Sequence, residues 1–303
     1  MSSASVIDVV GIGENSVDYV YLLPHLPSSA AKLPISARRV SPGGQVATTT
    51  CACAKLGLRT KYIGCFGNDD AGKRLREELI RRNVDIGDAS LRNAPNRYAV
   101  ILVDERTGER IVLWQRDASM ALTPRDIVAD MVAGARLLHV DGVDEAAAIA
   151  AARMARAAGV RVTCDVDRVT AQTPSLLEQC DVIVLAEEVP LALTGEADMA
   201  AALRQLHGRY GRWVAVTLGA RGAMLMADGE LHSAPAFEVK AVDTTGAGDV
   251  FRAGMIHALL RGEPPANVLR FANAAAAVSC TRPGAIDSIP SPDEIGRLLR
   301  GRA

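Results

Sequence analysis

The chain has 303 residues, of which 49% are hydrophobic, enough to bury one large α/β core with a small appendage. Its 34 basic and 35 acidic residues leave a formal net charge of -1, which excludes a broad electrostatic footprint for nucleic acid or an anionic membrane and favours a small-molecule partner. The N-terminus lacks a basic leader region, no apolar run reaches the roughly 18 residues that span a bilayer, and the 6 scattered cysteines, without a CxxC pair, fit free thiols in a reducing, cytoplasmic compartment.

Val6 to Gly13 is a nearly continuous apolar run ending in glycines, the pattern of a central parallel strand buried on both faces. Gly11-Ile12-Gly13 imitates a dinucleotide fingerprint. Ser16 stands at the third glycine, however, and Tyr19 to Leu23 reads as a second strand, which argues against nicotinamide binding. Asn15 and Asp18 then lie just past a strand's carboxyl end, where open α/β sheets place ligands; the alternative is a turn-forming Asn and a solvated Asp. Pro24 to Ser41, with its prolines, serines and the Arg38-Arg39 pair, interrupts the alternation of strand and helix and reads as part of a small lid.

Gly43-Gly44 heads a helix that ends at Leu56-Gly57. A strand from Thr60 to Gly64 and a charged helix from Asp69 to Arg82 follow. Gly67 to Lys73 imitates a phosphate loop but has Arg74 in place of the required Ser or Thr. Arg97 to Val103 and Arg110 to Trp114 form a hairpin turning at Thr107-Gly108, the rest of the lid sheet.

After Pro124 the pattern predicts a helix to about Val132, strand Leu137 to Val140, helix Glu145 to Ala158, and strands Val160 to Cys164 and Val182 to Leu185. A helix closed by Thr194-Gly195, helix Met199 to Tyr210 and strand Trp213 to Leu218 continue the alternation, which gives a parallel sheet covered by helices. Asp165 and Asp167 leave a strand end, either to hold a sugar hydroxyl or a metal or to form a solvated turn. A hairpin turning at Asp228-Gly229, two closely packed helices over Asp249 to Leu260 and Ala266 to Cys280, and a short helix after Ser291-Pro292 complete the chain.

The chemistry concentrates in Asp243-Thr-Thr-Gly-Ala-Gly-Asp249, which runs straight into one of those helices. Glycines at a helix start free several backbone N–H groups to point at one spot, where the helix dipole favours an anion. A carboxylate beside such a spot would repel a phosphate unless it takes a proton from an attacking hydroxyl. A plain helix cap would need neither both glycines nor both aspartates.

This stretch resembles the C-terminal signature of the ribokinase-like (phosphofructokinase-B type) carbohydrate kinases. Gly43-Gly44 with Leu56-Gly57 resembles the family's N-terminal signature, and Gly64-x-x-Gly67-x-Asp69-x-x-Gly72 the segment after it. Thr217-Leu218-Gly219-x-x-Gly222 is similar to its nucleotide-loop motif, and Phe271 to Ala275 with Thr281-Arg-Pro-Gly284 to its adenine-side helix and loop. Together these motifs span nearly the whole chain in order.

The resemblance implies a Rossmann-like three-layer α/β domain with a mostly parallel central sheet, residues 1–14, 42–95 and 118–303. A small β-sheet lid, residues 15–41 and 96–117, is expected to pair between the subunits of a homodimer. The implied activity is ATP-dependent phosphorylation of a hydroxyl of a monosaccharide or sugar derivative, with Mg-ATP as donor. By position, Asp249 is the base and the N–H groups of Gly246, Ala247 and Gly248 hold the transferring charge. Asn15, Asp18, Gly43 and Gly44 line the sugar pocket, and Thr217, Gly219, Gly222, Asn273 and Gly284 surround the nucleotide. Asp243, Thr245, Ser279, Arg282, Gly284 and Ser288 fall where many relatives hold a monovalent cation such as K+.

Three departures from the family pattern matter. Thr48 stands where the N-terminal signature has an Asn that contacts the sugar. Ala186 and Val189 occupy the places of the Asn-x-x-Glu motif that organises metal and phosphates, leaving the adjacent Glu187 and Glu188 either to substitute through water or to begin a helix in solvent. Arg252 replaces a small residue and either contacts an anionic group of the substrate or forms an ion pair. Arg252 or the lid residues Arg38, Arg110 and Arg116 pointing into the pocket would indicate a sugar acid, sulfonated sugar or phosphosugar; otherwise a neutral sugar is indicated. An aromatic content of 4% leaves few stacking partners for a nucleoside. The alternative from a different class is a catalytically weak nucleotide or sugar sensor that kept the fold and lost the metal motif.

Overall fold

All four side chains of Val9–Ile12 (β1) are buried, so this strand lies inside a sheet covered on both faces. The computed structural model describes residues 6–107 and 109–301, which leaves Gly108, half of the predicted Thr107-Gly108 turn, outside the described residues. The further strands are β2 (Ser16–Leu23), β3 (Ala37–Gly43), β4 (Thr60–Ile63), β5 (Cys65–Gly67), β6 (Val84–Asp85), β7 (Ser90–Arg92), β8 (Tyr98–Asp104), β9 (Arg110–Gln115), β10 (Leu137–Asp141), β11 (Arg161–Val166), β12 (Val182–Leu185), β13 (Trp213–Thr217), β14 (Ala223–Ala227) and β15 (Glu230–Ala234). The helices are α1 (Gln45–Lys55), α2 (Asp70–Arg81), α3 (Glu145–Ala157), α4 (Thr173–Leu177), α5 (Glu188–Thr194), α6 (Met199–Tyr210), α7 (Ala247–Leu260), α8 (Pro265–Ser279) and α9 (Pro292–Leu299).

The large sheet has nine strands in the order β15-β14-β13-β12-β11-β10-β1-β4-β6. From β6 to β13 every pairing is parallel, and β14 and β15 add an antiparallel edge. One core, built on Val10, Ile12, Leu138 and Val162, is closed by α3, α4 and α6; the opposite core is closed by α1, α2, α7, α8 and α9. Parallel strands force crossovers, and the crossovers supply those two layers. The carboxyl ends of β1, β10 and β11 therefore open at the same edge, and α7 begins there.

A second sheet of order β3-β2-β8-β9 stands apart, with Val20, Ala99 and Ile101 as its small buried cluster. Strands β2 and β3 leave the large sheet directly after β1 and return at Gly43, and the first turn of α1 then lays the Val46 side chain where a Cβ on Gly11 or Gly13 would stand, so Gly11-Ile12-Gly13 is covered by an apolar contact and not by a phosphate site. The phosphate-loop imitation at Gly67 to Lys73 is a helix cap: Asp69 accepts the Gly72 N–H at 2.9 Å at the start of α2.

The predicted helix from Pro124 to Val132 is absent. Two short 3-10 turns, Pro124–Asp126 and Ala129–Met131, take its place. Asp126 accepts both the N–H and the Oγ1–H of Thr123, at 2.8 and 2.7 Å, and this local bonding competes with a continuing helix. The short strands β5, β6 and β7 and the one-turn α4 also lie outside the predicted elements, being too brief to carry a hydrophobic period.

Candidate active site

The site is built at the start of α7. Gly246 is in the left-handed conformation at φ 76°, and a Cβ there would come within 2.7 Å of the Ala285 Cα, so only glycine fits this turn. The turn points the Ala247 N–H back to the Thr244 carbonyl at 3.2 Å. Among the described residues the amides of Gly246, Gly248 and Asp249 have no such partner. This corrects the expected trio: Ala247 is committed to the turn, and the free donors at the positive end of the helix are those of Gly246, Gly248 and Asp249.

The Asp249 side chain is half-buried and its carboxylate accepts no hydrogen bond among the described residues, while its carbonyl accepts from Thr49 Oγ1 at 3.2 Å. Burial, together with the nearby Asp165, Glu14 and Asp141, pushes its pKa well above the ordinary carboxylate value, and Arg252 only partly offsets them. The acidic neighbours come from the strand ends. Asp141 ends β10, accepts the Glu14 N–H at 2.7 Å and the Val143 N–H at 3.0 Å, and is pushed up to about 8, mainly by burial. Glu14 follows β1 and is gripped by Arg116 at 2.8 and 2.7 Å.

Asp165 lies inside β11 and not beyond its end, and it pairs with Arg252; their side chains are 1% and 6% exposed. Arg252 is therefore not available to an anionic substrate group, because its charge is spent beneath the site on a buried aspartate. Its Nη1 fills the space a Cβ on Gly248 would take, 2.5 Å away. Asp167 does reach solvent and accepts from Gln45 at 3.1 Å.

On the sugar side, Asp18 faces Gly43, where a Cβ would stand 2.7 Å from its Oδ2. Its Oδ1 accepts from Ser16 at 3.1 Å, and burial pushes the group up to about 6. Gly44, at φ 96°, lets the start of α1 pass against the backbone of Asn15. Asn15 itself is turned inward: its amide donates to Tyr62 and to the Cys65 carbonyl, both at 2.8 Å, and its oxygen accepts from Asn96 at 3.1 Å. Thr48 is fully buried in α1. Asn15 thus braces the loop from below, and the Thr48 hydroxyl is buried without a hydrogen-bond partner.

A cleft of about 410 Å³ opens beside the α7 start. It brings together Thr217, Gly219, Gly222 and Asn273 with Thr244, Ala247 and Gly248. Asn273 Nδ2 donates to the carbonyls of Ala234 and Pro235 at 3.0 and 3.1 Å, which fixes the cleft's rim. Phe237, Val239, Ala241, Phe251 and Ala276 add an apolar wall. Phe237, Val239 and Ala241 could not be read from the sequence, since residues 235–242 form an irregular segment with no period. Glu187, at the start of α5, forms an ion pair with Arg221 beside Gly222; Glu188 is exposed and Val189 is in the core.

Gly284 does not line this cleft. Its N–H donates to Asp243 Oδ2 at 2.9 Å, and Asp243 Oδ1 accepts the Thr245 N–H at 2.9 Å. Burial would raise Asp243, but these donors and Arg39 more than offset it and hold the group below its ordinary value. Ser279 and Ser288 are buried, and Arg282 donates to the Ser288 carbonyl at 3.2 Å and pairs with Glu294 at 2.9 Å.

With this geometry in place, residues 7–292 match the pattern of the pfkB family carbohydrate kinases. The chain belongs to that family. It is a carbohydrate kinase, similar at 27% identity to the ribokinase of Haemophilus influenzae over 95% of this chain and 97% of that one. It is equally similar, at 27%, to fructokinase-2 of Solanum habrochaites, over 97% of each. The solved structure of Arabidopsis thaliana ribokinase complexed with ribose and ATP superposes with a TM-score of 0.83 at 25% identity, over 97% of this chain and 99% of that one. The mostly parallel large sheet with a separate small sheet is thus the ribokinase-like fold. Since relatives named for two different sugars match this kinase alike, its own sugar must be argued from its pocket.

Proposed function

We propose that this kinase transfers the terminal phosphoryl group of Mg-ATP to a hydroxyl of a neutral monosaccharide, with Asp249 as the base. The observation that carries the reading is the unbonded Asp249 carboxylate on the same helix start as three free amides, beside an apolar-walled cleft large enough for a nucleotide. Phe237 and Val239 would face the base of the nucleotide, and Thr217 with the Gly219–Gly222 turn its polar parts. When bound, ATP supplies the phosphoryl group and Mg2+ neutralises its oxygens. Among the described residues no cluster of His, Cys, Asp and Glu forms a metal cage. That suits an ion that keeps its waters and is held largely by substrate phosphates, with Glu187 the acidic side chain next to the Gly219–Gly222 turn.

In this mechanism Asp249 accepts the hydroxyl proton at a carboxylate oxygen as the oxygen attacks in line. The amides of Gly246, Gly248 and Asp249 stabilise the charge on the moving phosphoryl group without reorganising. Asp18 orients the sugar through its free Oδ2. The four-stranded sheet, with residues 15–41 and 96–117, acts as a lid that excludes water.

A neutral acceptor follows from the charges. Arg116 is engaged by Glu14, Arg252 by Asp165 and Arg110 by Thr244, while Arg38 is exposed at the outer end of β3. Arg116 and Arg252 are thus neutralised by the site's own carboxylates, and Glu14, Asp18 and Asp167 would repel an anionic substrate. The sensor alternative has no specific observation in its favour. The exposed Leu113 and Trp114 on the edge strand β9, 56% and 62% accessible, fit a homodimer formed through the lid. Six free cysteines fit a reducing, cytoplasmic compartment, and no described helix is long and apolar enough to cross a membrane.

ATP consumption measured over a panel of neutral sugars, sugar acids and phosphosugars tests the proposal. Saturable turnover on a neutral sugar is expected, with a fall of about 100- to 10,000-fold in Asp249→Ala. Turnover that survives the substitution would sink the assigned mechanism, and preference for an anionic sugar would sink the substrate class.

A further inference from the structure

The loop expected to hold a monovalent cation is already crossed by a cation of the chain itself. Arg39, on the edge strand β3, places Nη2 2.7 Å from Asp243 Oδ2 although the two residues lie 204 positions apart. Asp243 is the one carboxylate among the six residues expected to ligate the cation. Its Oδ2 serves both Arg39 and the Gly284 N–H, and its Oδ1 serves the Thr245 N–H. The two serines of that set are also engaged. Ser279 Oγ donates to the Ala276 carbonyl at 2.8 Å, Ser288 Oγ to the Ala285 carbonyl at 3.0 Å, and the Ser288 carbonyl accepts from Arg282. These residues do not fit a bare cation, because the one negative charge such an ion would need is already neutralised by Arg39 and both oxygens of that carboxylate are in use.

We propose that the Arg39 guanidinium replaces the monovalent cation, so that this enzyme works without potassium and its anion-binding loop is set by closure of the lid. The three donors on Asp243 each tie down a different segment: Thr245 the loop itself, Gly284 the turn after α8, and Arg39 the lid. From the opposite edge strand, β9, Arg110 Nη1 donates to Thr244 Oγ1 at 2.9 Å, so both edges of the lid sheet grip adjacent residues of the loop. A potassium ion would neutralise Asp243 whether the lid were open or closed. A guanidinium carried on the lid does so only when the lid is down, which couples the alignment of the Gly246, Gly248 and Asp249 amides to substrate enclosure. Arg39 is a positioning residue, acting through Asp243.

The inference rests on the kinase reading for its catalytic part, and a second readout frees it from that dependence. Turnover and thermal unfolding of the full chain are measured in potassium chloride and in choline chloride at equal ionic strength, for the wild type, Arg39→Lys and Arg39→Met. The wild type and Arg39→Lys should give the same rate and the same melting temperature in both salts. Arg39→Met should lose about 100-fold in kcat, the scale of a misplaced catalytic group, and should acquire a potassium response in both rate and melting. Potassium stabilisation or activation of the wild type would overturn the proposal. So would an Arg39→Met variant that matches the wild type, or one that loses activity yet gains no potassium response in either readout. Melting needs no turnover, so a failure of the kinase mechanism and a failure of the cation replacement give different results.

Discussion

Replacing Arg252 with Met tests the buried pair beneath the anion site. Asp165 would be left as an unpaired carboxylate on a side chain only 1% exposed. Breaking a buried ion pair by removing one partner costs about 3–5 kcal/mol. With an unfolding entropy of about 2.1 cal/mol/K per residue, a chain of this length should melt roughly 5–8 °C lower. The deficit depends on pH with a definite sign. Burial already pushes Asp165 up to about 6, above its ordinary 3.8, and Arg252 is the main influence holding it down. A carboxyl whose pKa is raised by folding favours the fold when protonated; the penalty is absent below the unfolded value and complete above the folded one. The variant's loss should therefore be larger at pH 8 than at pH 5. Removing both charges, Arg252→Met with Asp165→Leu, should recover most of the stability, since apolar replacement of a buried pair is commonly neutral or better. Its turnover should stay below wild type, because Gly248 loses the guanidinium packed against it. Thermal unfolding of the three proteins at pH 5 and 8 is the assay. A single variant that melts with the wild type at pH 8, or a double variant no more stable than the single, would refute the reasoning.

Because the pKa of Asp249 is raised mainly by burial, the acid limb of kcat/KM should lie above the ordinary 3.8 of an aspartate, with activity lost as pH falls through it; a limb at or below that value counts against Asp249 as base. The ligand-free protein should become more stable as pH falls from 8 toward 5, since Asp18, Asp165 and Asp141 are pushed up to about 6, 6 and 8 and the native state binds the extra protons. A flat or falling melting temperature over that range contradicts this. Gly246→Ala meets Ala285 and must hold φ 76°, so it should lose about 1–3 kcal/mol and most of its turnover; unchanged melting and rate would show that the turn tolerates a side chain. Phe237→Ala removes part of the cleft wall and should raise the KM for ATP roughly tenfold with kcat little changed, the effect of about 1.4 kcal/mol of uniform binding. An unchanged KM would remove Phe237 from the nucleotide contacts.

What could be read from the sequence, and what could not, divides by the range of the interaction. The strands β1, β10 and β12 were legible because burial on both faces leaves an apolar run, and the α7 start because its turn requires a glycine at one definite position. The direction of the Ala247 N–H was not, since it depends on the left-handed turn that brings the Thr244 carbonyl within reach. Arg38 and Arg39 show the same boundary. Neighbours in a strand point to opposite faces, so the pair could be split in principle. Only the pairing of Arg39 with Val20 determines which of them faces the loop that carries Asp243. Asp165 looked like the end of a strand because the apolar run stops there, yet its alignment with Asp141 continues the ladder, and the burial this brings is tolerable only beside Arg252.

The charge of the pocket is therefore the property least accessible from the chain read in order. Glu14 with Arg116, Asp243 with Arg39 and Asp165 with Arg252 are each joined across long stretches of sequence, and each pairing removes an arginine that could otherwise have been assigned to an anionic substrate. The same pairings make the prediction of a neutral sugar and the prediction of potassium independence consequences of one arrangement. Arginines spent on Glu14 and Asp165 have no charge left to offer an anion, and a loop whose one carboxylate holds Arg39 has none to offer a cation. A strong potassium response together with a preference for sugar acids would mean that these arginines exchange partners when ligands bind. The coupling between lid and loop would then have to run through that exchange and not through the contacts of the ligand-free chain.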